Sequence, residues 1–149
     1  KGIDRRLGPE LLRTLRAMGH GDEIAIVDAN YPAETDARRL IRMDSDYAPD
    51  IADAILSVMP LDDFVPETAF RPAAGGDPSR VEPVMNDFAQ IVSRYEPWAK
   101  IIPLVGKDFY DRVRGCYAII ASGEPRLYGN LILRKGVIRP DPSIAGVNP

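Results

Sequence analysis

The sequence predicts an α/β domain layered on a mixed sheet. Segments with one apolar stripe at helical spacing alternate with short runs that are apolar at consecutive positions, as buried strands are. The chain then closes on two more strands. Its 149 residues fit a single domain, which runs to about 100–200 residues, and a chain of that size buries a sizeable core without staples.

The elements follow in order. Pro9 to Met18 sets Leu11, Leu12, Leu15 and Met18 on one helical face. Pro9 suits the first helical position and Gly19 the position just past the end. Glu23 to Asp28 is a short apolar run rich in β-branched residues, hence a buried strand. Pro49 to Met59 is a second helix, and Thr68 to Pro72 a short strand. Glu82 to Tyr95 is a third helix, with Met85, Phe88, Val92 and Tyr95 on its stripe. Ile101 to Val105 is a strand that Pro103 confines to an edge or to its first residues. Asp108 to Gly115 is a short helix. Cys116 to Ala121 and Leu127 to Arg134 are two strands expected to pair as a hairpin around Ser122-Gly123-Glu124-Pro125. Periodicity then stops, so residues 1–138 are expected to form the domain and residues 139–149 a tail.

Composition narrows the function. With 45% hydrophobic and 28% charged residues the chain is globular. Lys plus Arg number 19 against 22 Asp plus Glu, a net charge of −3. That argues against nucleic acid as a partner, because binding it takes a cationic surface. One cysteine, Cys116, cannot form an intrachain disulfide, and one histidine, His20, rules out zinc sites built on several His or Cys ligands. No apolar run reaches the ~20 residues needed to cross a bilayer. No secretory leader is visible, and a reducing, cytoplasmic setting is expected. Glycine-rich phosphate loops are absent, which disfavours the common nucleotide enzymes, and Gly75-Gly76 reads as a turn.

Four places carry groups suited to chemistry. His20 stands between two glycines, free of packing by its neighbours, and an unperturbed imidazole titrates near pH ~6.5. It reads either as a proton-transfer group or as a surface or capping residue. Asp28 closes the first apolar strand, where ligands bind in open α/β sheets. It reads equally as a cap or Asx-turn residue. Arg126, Tyr128 and Asn130 would share one face of the last strand, either facing solvent or binding hydroxyls, with Gly129 allowing close approach of a backbone or ligand. Phe109-Tyr110-Asp111-Arg112 lies on the short helix, where Arg112 reads as an ion-pair partner of Asp108 or as a ligand group. Cys116 opens an apolar strand and reads as a small core residue.

Taken together, Pro9-Glu10-Leu11-Leu12, Gly19-His20-Gly21-Asp22-Glu23, Asp28-Ala29-Asn30-Tyr31-Pro32, Phe109-Tyr110-x-Arg112 and Gly123-Glu124 with Tyr128-Gly129-Asn130 resemble the RbsD/FucU family of sugar mutarotases, its L-fucose branch above all. The likeness runs from Lys1 to Val137. It implies a three-layer α/β/α fold, anomer exchange of a free monosaccharide without a cofactor or metal, and assembly into homo-oligomeric rings, often decamers. It also implies His20 as the acid–base group, Asp28 as the sugar-binding carboxylate, and Tyr128 and Asn130 as the family's Tyr-x-Asn pair, with Gly129 between them at the sugar; on chemistry alone the Tyr128 phenol then suits the complementary proton donor or relay. Arg112 falls on an arginine of the fucose branch. The ribose branch carries a histidine in the region of Gly106, which this chain lacks. Asn30 stands where the fucose type often has histidine, and Tyr31 where it has phenylalanine. A D-ribose pyranase and a non-catalytic monosaccharide-binding or transport-accessory protein are the alternative readings. One geometric consequence follows. His20 precedes the first strand and Asp28 ends it, and the strand between them is about 15–20 Å long at ~3.3 Å per residue, so one straight segment cannot bring both to one sugar. The site is then completed either by a loop folding back or by a neighbouring subunit, and the ring favours the neighbour.

Overall fold

The computed structural model describes residues 1–140. The elements are α1 (Pro9–Ala17), β1 (Glu23–Val27), α2 (Ala33–Asp36), β2 (Leu40–Met43), α3 (Ala48–Leu56), β3 (Ala69–Pro72), α4 (Pro83–Tyr95), β4 (Ile101–Leu104), α5 (Lys107–Gly115), β5 (Ala118–Ser122) and β6 (Leu131–Arg134). A 3-10 turn at Ala74–Gly76 follows β3. The six strands form one sheet in the order β2-β5-β1-β6-β3-β4. Five run parallel, and β6 is antiparallel to both of its neighbours.

The sheet is buried on both faces, which is why β1 is apolar at successive positions. Ile24 and Ile26 join Leu11, Leu15, Ile51, Ile55, Phe88 and Leu133 in one core, beneath α1, α3 and α4. Ala25 and Val27 point the other way and pack with Phe70, Phe109, Val113 and Ile132 beneath α5. Three layers result, α/β/α. Pro103 lies on β4, an outermost strand, where its missing N–H costs no ladder bond. Cys116 is buried. No helix among the described residues is long and apolar enough to cross a membrane.

The structure revises several local expectations. α2 and β2 are additional elements. The two final strands run antiparallel with a short connection, as a hairpin's do, but β1 lies between them and bonds to both. Their connection, residues 123–130, is therefore a loop that crosses the carboxyl end of β1, and Arg126, Tyr128 and Asn130 do not share a strand face. α1 ends without a left-handed glycine at Gly19. The left-handed residue is Gly21 (φ 84°), where an added Cβ would sit 3.0 Å from the Arg134 guanidinium. Of the expected tail, residues 141–149 lie outside the described residues, and Arg139 pairs with Asp63.

Glu124 holds the crossing loop. Its side chain is fully buried and accepts hydrogen bonds from Arg126 Nε at 2.7 Å, Arg126 Nη2 at 3.0 Å and the Arg126 amide at 3.1 Å. Arg126 also donates to Asp87 of α4 at 2.7 Å, and the Ala29 amide donates to the Glu124 carbonyl. Burial pushes the Glu124 carboxyl upward, but Arg126 outweighs it and holds the group below its ordinary value. Removing one partner of a buried pair strands the other. Glu124→Ala is therefore expected to lower unfolding stability by about 3 kcal/mol, near the low end for such pairs because Arg126 keeps Asp87 and water. Urea unfolding measures it, and a loss under about 1 kcal/mol would show that the loop stands without this carboxylate.

Candidate functional site

Beside the loop, at the carboxyl ends of β1, β3 and β4, lies a cavity of about 440 Å³. Open α/β sheets bind ligands at this end, and the volume falls in the range of ligand pockets, about 300–1,000 Å³. Asp28, Asn30, Tyr128 and Asn130 supply its polar groups. Tyr31, Pro32, Val105, Phe109, Tyr110 and Leu127 supply its apolar walls. Among the described residues no lysine or arginine lines it.

Asp28 and Asn130 make a reciprocal pair. The Asn130 side chain donates to Asp28 Oδ2 at 2.7 Å, and its oxygen accepts from the Asp28 amide at 2.8 Å. The Asn30 amide donates to Asp28 Oδ1 at 3.0 Å, an Asx turn. The turn reading of Asp28 holds, and the same carboxylate also lines the cavity. Burial pushes its carboxyl above the ordinary value, and the bonds from Asn30 and Asn130 offset this only in part. Tyr128 is the one non-glycine residue with positive φ (62°) among the described residues, and strain of this kind collects at functional sites. Gly129 packs against its own loop rather than lining the cavity. An added Cβ there would lie 2.6 Å from Glu124 Cγ and 3.5 Å from Asp28 Cβ.

Tyr31 and Tyr110 stack on one wall, with ring centroids 5.8 Å apart at 19°. The Tyr31 phenol donates to Asp36 at 2.8 Å, and burial together with Asp36 raises its pKa, so it stays protonated and occupied. Tyr110 and Tyr128 carry no such bond among the described residues, which leaves their hydroxyls available to a ligand.

His20 is not in this cavity. It lies at the amino end of β1, with its side chain 47% exposed. Its Nε2 is 2.9 Å from Asp62 Oδ1, and its ring centroid lies 5.2 Å from that of Phe64. Asp62 is fully buried. Arg134 donates to its Oδ2 at 2.9 Å and the Phe64 amide to its Oδ1 at 3.1 Å. Arg112 belongs to this end too. It does not pair with Asp108 and does not line the cavity. It grips Glu23 with two bonds, at 3.0 and 2.6 Å, and its guanidinium lies 3.4 Å from the Phe70 ring centroid. Glu23 lies 3.8 Å from Arg134. His20, Asp62, Arg134, Glu23 and Arg112 therefore form one chain of charge at the end of the sheet opposite Asp28, Tyr128 and Asn130.

A model of the RbsD / FucU transport protein family matches residues 1–138. The chain belongs to the RbsD/FucU family. It is 37% identical to the human (Homo sapiens) fucose mutarotase over 148 residues, 95% of this chain and 96% of that one. The crystal structure of the Streptococcus pneumoniae fucose mutarotase in complex with L-fucose is 40% identical, with a TM-score of 0.85 over 93% of this chain and 99% of that one. Bacillus subtilis RbsD complexed with D-ribose, at 22% identity and a TM-score of 0.69 over 93% and 98% of the two chains, shares the fold.

Sequence reading missed Asp62 as the partner of His20. The two are 42 positions apart, and no spacing marks the pairing. Among the described residues no group of three or more His, Cys, Asp or Glu side chains gathers to hold a metal ion.

Asp62 also sets a pH dependence. Burial pushes its carboxyl upward, yet Arg134, His20 and the Phe64 amide together hold it below the ordinary value of 3.8. A lowered folded-state pKa gives stability that is complete above the unfolded value and lost as pH falls through the folded one. Asp62→Asn is expected to cost about 2–3 kcal/mol at pH 7 and to flatten the loss of stability below about pH 4. Thermal unfolding from pH 7 to pH 2 checks both, and an unchanged acid slope would remove Asp62 from the account.

Proposed function

We propose that the protein interconverts the α and β anomers of free L-fucose, working in a cytoplasmic setting as a homo-oligomer whose sites are completed between subunits. One observation carries this reading: a cavity with a buried carboxylate–amide pair, unpartnered phenols and no cationic lining. A phosphorylated sugar would need a cation or a row of amides to meet its charge. A neutral sugar needs acceptors and donors for hydroxyls together with apolar surface for its ring. Asp28 accepts from sugar hydroxyls, and Asn130, already oriented by Asp28, adds polar capacity beside it. The 37–40% identity to fucose mutarotases over nearly the whole chain supports L-fucose as the substrate.

Mutarotation breaks the bond between C1 and the ring oxygen and reforms it on the other face. As the ring opens, the anomeric hydroxyl loses a proton and the ring oxygen gains one. Closure reverses both transfers. Positioned acid–base groups supply typically about 10²–10⁴-fold. Tyr128, whose hydroxyl makes no hydrogen bond among the described residues, is the donor inside the cavity, and Tyr110 stands beside the same space. His20 is the principal proton-transfer group. Asp62 holds its Nε2 edge, and Nδ1 is left to exchange protons, as in base–orienter pairs generally.

Within one chain His20 and Asp28 stand at opposite ends of β1, which is about 15–20 Å long. A neighbour's His20 completes the cavity; Arg112 lies at the same end, with its guanidinium held by Glu23. Exposed Val105, Tyr110 and Leu127 at the cavity and exposed Phe64 beside His20 are the apolar surfaces such a contact would cover.

Saturation-transfer NMR of anomer exchange tests the reading. Wild type is expected to shorten the exchange time of L-fucose more than that of D-ribose. His20→Ala should slow exchange about 100-fold or more while sugar affinity stays within a few-fold, whereas Asp28→Ala should weaken the affinity itself. A protein that binds fucose without shortening its exchange time is a passive sugar binder, and the proposal fails.

A further inference from the structure

Phe64 is a large aromatic side chain left 61% exposed, and the fold gives it no core to fill. It follows Asp62 by two residues, and its amide is fixed by the Asp62 carboxylate at 3.1 Å. Its ring sits beside the His20 imidazole, with centroids 5.2 Å apart at 54°. Arg139, itself paired with Asp63, lies 5.3 Å from the ring centroid. The ring is thus held in a set place by backbone and neighbours, yet most of it faces outward next to the only imidazole of the chain.

Resting on the proposed function, we infer that Phe64 is a specificity-determining residue that reads the C6 methyl group of a 6-deoxy sugar. The connectivity of the sugar leads there. Proton transfer takes place at the anomeric oxygen and at the ring oxygen. The ring oxygen is bonded to C5, and C5 carries C6. The anomeric oxygen and C6 are borne by the two carbons that flank the ring oxygen, so an aromatic ring whose centroid lies 5.2 Å from that of the imidazole is within reach of the substituent on C5. In a 6-deoxyhexose that substituent is a methyl; in the corresponding hexose it is a hydroxymethyl. An aromatic ring gains from burying the methyl, and it offers a hydroxyl neither a good acceptor nor a donor, so the hydroxyl loses its water without compensation. At the Asp28 end the groups suit the secondary hydroxyls instead.

L-Galactose differs from L-fucose only by the hydroxyl on C6, so the two sugars isolate this contact. Wild type, Phe64→Ser and Phe64→Leu are compared by exchange NMR on both sugars. Phe64 is exposed, so the variants should fold, and their thermal unfolding confirms it. Phe64→Ser is expected to cut the fucose-over-galactose rate ratio about tenfold, and Phe64→Leu to keep it within about threefold of wild type, since an apolar pocket discriminates by such factors per group. A ratio unchanged in Phe64→Ser, with wild type active on L-fucose, overturns the role of Phe64 and leaves the proposed function standing. A wild type inactive on both sugars overturns the two together.

Discussion

The reciprocal bonding of Asp28 and Asn130 joins residues 102 positions apart. One lies just past the end of β1 and the other just before β6. Because β6 runs against the parallel strands, the chain must cross over the carboxyl end of β1 to enter it. The pair locks that crossing and, in doing so, aims a carboxylate at the cavity. Burying the carboxylate is costly: desolvation raises its pKa, and the hydrogen bonds it collects only partly offset this. The fold tolerates the cost because Glu124 and Arg126 anchor the same loop from beneath.

The opposite end of the sheet is organised differently. There polar side chains are linked in a chain from His20 through Asp62, Arg134 and Glu23 to Arg112. Paired charges of this sort hold geometry more than they add stability. The imidazole is oriented but left open to its surroundings. α5 spans both ends, contributing Phe109 and Tyr110 to the cavity and Arg112 to the ion chain. A single subunit thus carries the cavity and the ion chain at opposite ends of β1, and the proposed function joins them across a boundary between identical subunits.

Much of the fold was legible because its signals are local. The run Glu23 to Asp28 is apolar on both faces, and Pro103 marks its strand as an edge. α2 is a single helical turn. β2 is an outermost strand in which only Ile41 is buried, so neither leaves a period to read. The hairpin expectation met a long-range fact: β1 inserts between β5 and β6, and nothing near residues 116–134 announces it. The alternation at Leu127 to Asn130 suits a strand, but the left-handed backbone at Tyr128 and the packing of Gly129 on Glu124 break the pleat. Asp28, Tyr128 and Asn130 are candidates from chemistry and resemblance, and the structure brings the three to one cavity. The separation of His20 from Asp28 also followed from strand length. Asp62 and the Tyr31–Tyr110 stack were not legible, because both depend on loops brought together by distant pairings.

Whether the two halves meet across subunits is the question on which the account turns, and complementation answers it directly. His20→Ala and Asp28→Ala protomers are each purified, then mixed by unfolding and refolding together, and anomer exchange of L-fucose is followed by NMR. If each site draws its imidazole from one subunit and its carboxylate from the next, random mixing restores about a quarter of the sites, and activity returns in that proportion. Activity no greater than the sum of the separate variants, in a mixture shown to have exchanged subunits, would contradict a site shared between neighbours.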